Sequence, residues 1–338
     1  MGNPLPRVSV GLAVYNGENF IREAIDSILA QTFKDFELII SDNASTDKTQ
    51  EICLEYAAKD KRIRYSRNEH NIGGIANQNR TVELSRGEYY KLAAHDDVCA
   101  PEFLEKCVEA LDRDSSIVLS YPRTKIIDEN GQFFDSDEPY VKLTNRNISL
   151  KSDSLKPQER FHDLACFPHA CYQIFGVIRA SSLKSIPGWG RYAGSDRALI
   201  ARLGILGRFY EVPEDLFFLR RHSGQSINIG LRSMYLYNFW FTTANKNKVV
   251  LPHWERVLEY LSAISKAPLS PQDRMGCYLK MFNVLQVEGQ GMIKDLIVAT
   301  IQISERFYRR LFQRFNPRLA MREDTLIFNK IPRLQIPS

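Results

Sequence analysis

The first third of the chain alternates short apolar runs with longer stretches in which apolar residues recur every three or four positions. Short apolar runs are typical of buried strands, and the longer stretches are typical of helices that bury one face. The predicted strands cover 8–14, 36–41, 63–66, 89–94 and 117–121, and the predicted helices cover 18–31, 47–59, 75–85 and 101–113. This order predicts an α/β domain with a mostly parallel sheet flanked by helices.

The periodicity weakens between residues 122 and 168. Within that stretch Asp128-Glu129-Asn130-Gly131 predicts a turn between two short strands, so we expect a loop and hairpin insertion. Regular patterns return over residues 172–179. They continue with a predicted helix over 195–206 and a short predicted strand over 209–212.

Beyond residue 229 the pattern is almost wholly helical. The predicted helices cover 231–245, 254–265, 274–284 and 294–315. We therefore expect a domain boundary near residue 228. A first domain, 1–228, would have two halves, 7–122 and 123–228, and a helical C-terminal region would cover 229–338.

Composition narrows the class of protein only slightly. The formal charge of +5 is small for 338 residues, so the whole-chain field indicates no nucleic-acid partner. The six cysteines show no C-x-x-C pair and no zinc-binding spacing with histidine, which favours reduced, buried thiols over a disulfide framework. Residues 1–7 do not form a secretory signal, and no run of about 18 apolar residues predicts a membrane span. We expect a cytoplasmic protein.

Polar residues concentrate where three of the predicted strands end. Tyr15-Asn16-Gly17-Glu18 follows the first strand, 42–47 follows the second, and His95-Asp96-Asp97 follows the fourth. In an open parallel sheet, ligands bind outside the carboxyl ends of the strands. The sequence therefore predicts a binding site built from these three loops.

Five segments, in this order and spacing, resemble the inverting glycosyltransferase family 2, whose fold is the GT-A nucleotide-diphospho-sugar transferase fold. The segments are Val8-Ser9-Val10 with Tyr15-Asn16-Gly17; Ser41-Asp42-Asn43-Ala44-Ser45-Thr46-Asp47; Asn71-Ile72-Gly73 with Asn79-Arg80; Ser85-Arg86-Gly87-Glu88-Tyr89 with Asp96-Asp97; and Ser195-Asp196 with Arg220-Arg221-His222. The resemblance covers residues 7–226. It implies a GT-A domain, in which 7–122 would form the nucleotide-sugar half and 123–228 the acceptor half, followed by a C-terminal helical extension.

The resemblance implies a donor that is a sugar linked to UDP, GDP or dTDP. The acceptor would be a hydroxyl of a glycan or lipid-linked glycan, in the synthesis of cell-surface polysaccharide. The implied donor-binding residues are Tyr15, Asn16, Glu18, Asp42, Asn71, Asn79, Asp96 and Arg221. Asp42 can bond to the base or ribose and Tyr15 can pack on it, although the segment from Asp42 to Ser45 is equally typical of a helix cap.

A divalent cofactor, Mg²⁺ or Mn²⁺, would neutralise the leaving diphosphate. Its implied ligands are Asp96, Asp97 and His222. The family pattern at this strand end is Asp-x-Asp, and here Ala94 stands at the first position. That departure puts the metal geometry in doubt. The alternative is a surface turn in which Asp97 caps the next helix.

Inversion requires a base that takes the proton of the attacking hydroxyl, and Asp196 matches the catalytic base of the family. Its place at the start of the predicted helix would lower its pKa, and a helix cap is the alternative role. The preceding Pro187-Gly188-Trp189-Gly190 resembles the mobile loop that such enzymes place near the acceptor. Trp189 could stack on a sugar ring or lie buried as a core indole.

Arginines suit a segment that folds over a diphosphate, and Arg220-Arg221-His222 occupies the matching position. A second group of arginines lies between 306 and 322, beside an apolar stripe formed by Phe307, Leu311 and Phe315. This pattern predicts contact with an anionic membrane surface through 293–322, peripherally on the inner face of the cell membrane. The alternative is a helix that packs on the catalytic domain.

Three other functions have less support in the sequence. A nucleotidyltransferase would require a glycine-rich phosphate loop after the first strand, and 15–18 is not such a loop. A dinucleotide-dependent dehydrogenase would require G-x-G-x-x-G there. A non-catalytic binding or scaffold subunit is supported by Ala94 alone, and the retention of Asp96, Asp97 and Asp196 argues against it.

Overall fold

The computed structural model describes residues 5–134, 150–225 and 249–315. Its strands are β1 (Val8–Val14), β2 (Phe36–Asp42), β3 (Ile63–Arg67), β4 (Tyr89–Ala93), β5 (Val98–Cys99), β6 (Ile117–Ile127), β7 (Val177–Arg179) and β8 (Arg208–Arg220). Its helices are α1 (Ile21–Leu29), α2 (Thr49–Lys59), α3 (Gly74–Leu84), α4 (Phe103–Arg113), α5 (Pro157–Cys166), α6 (Ala180–Lys184), α7 (Ser195–Leu206), α8 (Pro252–Lys266) and α9 (Pro271–Phe315). A 3₁₀ helix, Tyr172–Phe175, precedes β7.

One eight-stranded sheet has the order β3-β2-β1-β4-β7-β6-β8-β5. The first four strands of this order are parallel, β6 and β8 are parallel, and β7 and β5 pair antiparallel with their neighbours. The α/β class with a mostly parallel sheet is confirmed. Apolar side chains of the strands are buried on both faces, under α1, α2 and α4 on one face and α3, α5 and α7 on the other.

Three parts of the fold differ from the prediction. The strand predicted over 117–121 runs on to Ile127, and the one over 209–212 is the 13-residue β8. The insertion contains the helix α5, which the weak periodicity concealed. The turn at 128–131 does form, and Ile127 pairs antiparallel with Phe133 beyond it. The helix predicted over 231–245 and the boundary near 228 lie outside the described residues.

The two helices predicted over 274–284 and 294–315 are one 45-residue helix, α9. Gly289 and Gly291 weaken the local helical preference, which is why the sequence indicated a break. Packing overrides that preference, because a Cβ on Gly291 would lie 2.1 Å from the His253 ring on α8. Tertiary contact therefore explains a glycine inside this helix.

The C-terminal helices complete the core of the α/β domain. Tyr260 of α8 and Cys277 and Val284 of α9 are fully buried in the same apolar cluster as the residues of α5 and α7. The helical nature of the described C-terminal region, 252–315, is confirmed. No helix in the described ranges combines the length and apolarity needed to cross a bilayer.

Candidate functional site

The three polar loops meet at one edge of the sheet. Strand β1 pairs with β2 on one side and with β4 on the other, so Val14 lies beside Asp42, and Leu12 lies beside Ala93. The chain order reverses at β1, which is the switch point where open α/β sheets bind ligands. The loops after β1, β2 and β4 therefore surround one crevice.

The loop after β1 is bonded to the loop after β2. Asn16, at a positive φ of 52°, accepts the Thr46 N–H on Oδ1 at 2.8 Å, and its own N–H donates to Ser45 Oγ at 2.9 Å. Glu18 accepts the Lys48 N–H at 3.0 Å. The side chains of Asn16 and Glu18 thus hold the two loops together, while the Tyr15 ring is 43% exposed. Their contact with a donor stays a prediction.

Asp42 is fully buried at the end of β2. Its carboxylate accepts hydrogen bonds from the Ser45 N–H at 2.9 Å and from the Tyr65 hydroxyl at 2.7 Å, and it pairs with the Arg67 guanidinium. Burial and the Asp42 charge raise the pKa of Tyr65. The contact with Ser45 lies within the loop and caps no helix, because α2 begins at Thr49 and its N-cap, Lys48, makes no side-chain cap bond. The helix-cap alternative is therefore wrong, and the base-binding role of Asp42 stays a prediction.

An asparagine network, which the sequence analysis missed except for Asn71, supports the neighbouring loop. Asn43 donates to Asn71 Oδ1 at 2.9 Å and accepts from Asn68 Nδ2 at 3.0 Å. Asn68 also donates to Asn77 Oδ1, which accepts from the Ser41 hydroxyl. These hydrogen bonds join the loops after β2 and β3 to the first turn of α3, although Asn68 Oδ1 is buried without a partner. The run of asparagines after β3 was the available signal.

Asp96 and His222 meet across 126 positions of sequence. The carboxylate Oδ2 lies 3.1 Å from His222 Nε2 and accepts from Gln225 Nε2 at 3.2 Å. Although burial opposes it, the His95, His222 and Gln225 side chains lower the pKa of Asp96 to about 2. Two ligands that occupy adjacent octahedral positions about 2.1 Å from an ion are separated by about 3 Å. The separation of the pair is compatible with two such ligands, and the role of Asp96 and His222 as ligands of Mg²⁺ or Mn²⁺ stays a prediction.

Asp97 has a different environment. It is buried, and its Oδ1 accepts the Arg220 backbone N–H at 2.9 Å, which fixes the end of β8. Burial and the adjacent Asp96 charge raise its pKa well above the usual range. Its role as a metal ligand stays a prediction. No group of three or more His, Cys, Asp or Glu side chains within the described ranges could cage an ion, so diphosphate or water oxygens would complete the shell.

The two arginines at the end of β8 have different surroundings. Arg220 is 1% exposed and donates to the backbone oxygens of Asp96, Asp128 and Glu129 and to the Glu23 carboxylate. It is an internal support, not the diphosphate clamp that the sequence suggested. Arg221 is half-buried and donates to the Tyr172 hydroxyl at 3.1 Å.

Asp196 is the second residue of α7 and is half-buried. Burial raises its pKa to about 6, and interaction with the Trp189 side chain opposes the rise. The expected lowering of this pKa by the helix terminus is therefore wrong, because desolvation outweighs the helix dipole here. The Trp189 indole N–H makes no hydrogen bond of normal geometry.

Trp189 is 2% exposed, so the core-indole interpretation is confirmed and the sugar-stacking interpretation is wrong for this structure. The Asn79 amide fixes its backbone from both sides, since Asn79 Nδ2 donates to Trp189 O and Trp189 N donates to Asn79 Oδ1, each at 2.9 Å. Direct contact of Asn79 with a donor stays a prediction, and it would require these bonds to break.

The 3₁₀ segment links the two halves of the site. Burial raises the pKa of the Cys171 thiol to about 12, and the nearby Asp196 charge adds to the rise. The next residue, Tyr172, contacts Arg221 and lies close enough to Asp97 for that charge to raise its pKa as well, in addition to burial. Asp196 therefore lies near Cys171, and Arg221 and Asp97, the sequence neighbours of His222 and Asp96, lie near Tyr172.

Comparisons with known proteins agree with this arrangement. The family model described as Glycosyl transferase family 2 matches residues 9–179, about half of the chain. An uncharacterised glycosyltransferase of Methanocaldococcus jannaschii, MJ1057, is 40% identical over 136 residues, which are 40% of this chain and 47% of that protein. The chain thus spans less than half the length of this relative.

Solved structures share the fold at low sequence identity. S. aureus TarS 1-349 in complex with UDP-GlcNAc has a TM-score of 0.56 at 17% identity, over 89% of this chain and 82% of that one. Mannosyltransferase PcManGT from Pyrobaculum calidifontis, in complex with GDP-Man and Mn²⁺, has a TM-score of 0.52 at 14% identity, over 93% and 82%. The expected GT-A fold is confirmed, and the chain belongs to glycosyl transferase family 2.

Proposed function

We propose that this chain transfers a sugar, with inversion, from a nucleotide-diphosphate sugar to a hydroxyl of a glycan or lipid-linked glycan, in cell-surface polysaccharide synthesis. The observation that supports the proposal is the contact of Asp96 with His222, together with the nearness of Asp196 to Cys171 and of Arg221 to the next residue, Tyr172. A diphosphate held at the first position would leave the sugar between its leaving group and a base.

On the donor side, Asp96 and His222 would hold Mg²⁺ or Mn²⁺. When bound, the ion neutralises the charge that develops on the leaving diphosphate. Arg221 would donate to phosphate oxygens from the other side, a task for which its guanidinium fork is suited. Arg220 keeps Asp96 in place through its bond to the Asp96 backbone oxygen at 2.9 Å.

On the acceptor side, Asp196 would accept the proton of the attacking hydroxyl. A pKa of about 6 leaves the carboxylate mostly ionised at neutral pH while keeping it a stronger base than an ordinary aspartate. The half-buried position limits access of water, which would otherwise compete with the acceptor.

The structural relatives support the donor class. TarS is known with UDP and with UDP-GlcNAc, and PcManGT with GDP-Man and Mn²⁺. UDP-, GDP- and dTDP-sugars are therefore the donors to test. Because those proteins share under a fifth of their residues with this chain, they support the chemistry and leave the sugar open.

A thermal-shift panel tests the donor site. UDP, GDP, dTDP and CMP are each measured with and without Mn²⁺. We expect one diphosphate to raise Tm only with the metal, on the order of 5 °C at about a hundred times its Kd. Absence of any shift would favour the non-catalytic scaffold instead.

Asp96→Asn separates the metal role from the fold. The variant keeps the shape of the side chain and loses its charge, so the metal-dependent shift should disappear while the ligand-free Tm changes little. Asp153→Asn is a matched control, since the Asp153 carboxylate is distant in sequence from both Asp96 and His222. An unchanged metal-dependent shift in the Asp96 variant would refute the assignment.

We further propose that α9 contacts an anionic membrane surface on the inner face of the cell membrane. Its outward side exposes many apolar residues, among them Leu279, Phe282, Ile293, Ile297, Ile303 and Phe307. The acidic residues between 274 and 304, Glu288 and Asp295, are both buried, and the exposed charged residue in that stretch is Lys294. Apolar surface beside basic residues suits anionic lipid.

Vesicle co-sedimentation tests this contact. The protein should sediment with vesicles of phosphatidylcholine and phosphatidylglycerol and much less with phosphatidylcholine alone. Lys294→Glu should weaken sedimentation, whereas Lys59→Glu, on the opposite side of the sheet in α2, should not. Equal sedimentation with both vesicle types would contradict the electrostatic part of the proposal.

A further inference from the structure

Helices α8 and α9 contain buried charges that are not needed to pack one helix against the other. Arg256 of α8 and Glu288 of α9 are each 5% exposed, and Arg256 Nη2 donates to Glu288 Oε2 at 2.9 Å. A buried ion pair holds helices together no better than apolar residues of the same volume would. We therefore expect the Arg256–Glu288 pair to have a role other than joining α8 to α9.

Arg256 also lies against the start of α7. A Cβ built on Gly194 would be 2.5 Å from Arg256 Nη1, so the guanidinium occupies the space where a side chain would stand. Gly194 is the N-cap of α7 and has a φ of 83°, which a larger residue adopts only with strain. Arg256 therefore lies beside the start of α7, whose first turn contains Asp196.

One turn further along α8, Glu259 holds the segment before Gly194. The Tyr192 hydroxyl donates to Glu259 Oε2 at 2.8 Å, and the buried Arg202 lies 3.4 Å from the same carboxylate. Arg202 in turn donates to the backbone oxygens of Pro187 and Gly188. With the Asn79 bonds to Trp189, the loop 187–194 is fixed at both ends.

We infer that Arg256 and Glu259 are positioning residues for Asp196, so that a helix outside the family-matched region 9–179 completes the catalytic site. The inference rests on the proposed role of Asp196 as the base. Because the Glu288 carboxylate neutralises the Arg256 charge, Arg256 would act on the position of the start of α7. Glu259 contributes by fixing Tyr192, two residues before the N-cap.

Arg256→Met tests the inference against a matched control, Arg274→Met. Arg274 joins the same two helices at their other end, where it donates to the backbone oxygens of Ile264, Ser265 and Ala267. Release of nucleoside diphosphate from UDP-GlcNAc and from GDP-mannose, with Mn²⁺, is measured for both variants. Hydrogen exchange of the 187–195 amides is followed in parallel.

Both variants should lose thermal stability, but only Arg256→Met should lose kcat. A displacement of about 1 Å at a reacting group costs up to about 100-fold, so we expect a 10- to 100-fold fall with the donor KM unchanged. Exchange in 187–195 should quicken in that variant alone. Equal kcat in the two variants, or a rise in KM without a fall in kcat, would overturn the inference.

Two further variants keep the test decisive. If Arg256→Met fails to fold because Glu288 is left unpaired, the double variant Arg256→Met with Glu288→Met removes the buried charges together and should show the same loss of kcat. Asp196→Asn is run alongside. Full activity of Asp196→Asn would refute the base role and this inference with it, whereas loss in Asp196→Asn with normal kcat in the double variant would refute the inference alone.

Discussion

Asp196→Asn should stabilise the protein at neutral pH, because the native site holds this carboxylate where it ionises reluctantly. Burial raises its pKa from 3.8 to about 6. A carboxyl whose pKa is raised by folding contributes stability that is complete below about pH 3.8 and is lost as the pH rises through about 6. At about 1.4 kcal/mol per pKa unit, ionisation costs up to about 3 kcal/mol near pH 7.5 and about half as much near pH 5.

The figure is an upper limit, since Asp196 keeps partial contact with solvent. Asparagine has the same shape and cannot ionise, so the variant avoids this cost. Urea unfolding of both proteins near pH 5 and near pH 7.5 measures the difference, with the free energy of unfolding extrapolated to water. The gain of the variant should be larger at the higher pH.

Asp112→Asn provides a control of opposite sign. The hydrogen bond from Arg7 lowers the pKa of Asp112, so this carboxylate stabilises the fold above its unfolded pKa, and the variant should be less stable near pH 7.5. A gain for Asp196→Asn that is absent, or equal at the two pH values, would refute the claim that Asp196 is desolvated.

The other predictions concern catalysis, the metal and the internal arginine. kcat/KM should rise with pH through about 6 as Asp196 ionises, and a flat profile between about pH 5 and 7 would argue against it as the base. His222→Gln should weaken nucleotide binding in Mn²⁺ by about 10-fold or more and leave metal-free binding unchanged, as calorimetry would show. Arg220→Lys should cost about 2–4 kcal/mol in urea unfolding through lost buried hydrogen bonds, against under about 0.5 kcal/mol for Arg123→Lys, whose side chain is 56% exposed. Equal costs for the two would contradict the support role.

Much of the α/β half could be predicted because its signals are local. Strand β1 has the predicted bounds of 8–14, and α7 has the predicted bounds of 195–206. Apolar periodicity depends on which face of one element is buried, and that is written in consecutive residues. The prediction divided the long helix α9 in two because Gly289 and Gly291 lower the local helical propensity. Only the contact with His253 in the folded protein explains Gly291.

The site was predictable in its residue types and less so in their roles. Asp96 and His222 were both candidates, but their separation of 3.1 Å depends on the pairing of β8 within the sheet. Arg220 and Arg221 are adjacent in sequence, yet Arg220, at the end of β8, is buried and Arg221 is half-buried. Alternation of side chains along a strand distinguishes them only once the strand is known to include Arg220.

The sequence by itself determined the order of β1 to β4 and of α1 to α4, the three polar loops at strand ends, and the candidate carboxylates for metal and proton chemistry. The tertiary structure decided the direction of the Asp196 pKa, the burial of Trp189 and the contact of Arg256 with Gly194. The physical reason is that desolvation and close packing depend on atoms supplied by distant parts of the chain. The effect of the helix terminus on the Asp196 pKa comes from residues adjacent in sequence. The burial that outweighs this effect is set by the packing of the whole fold.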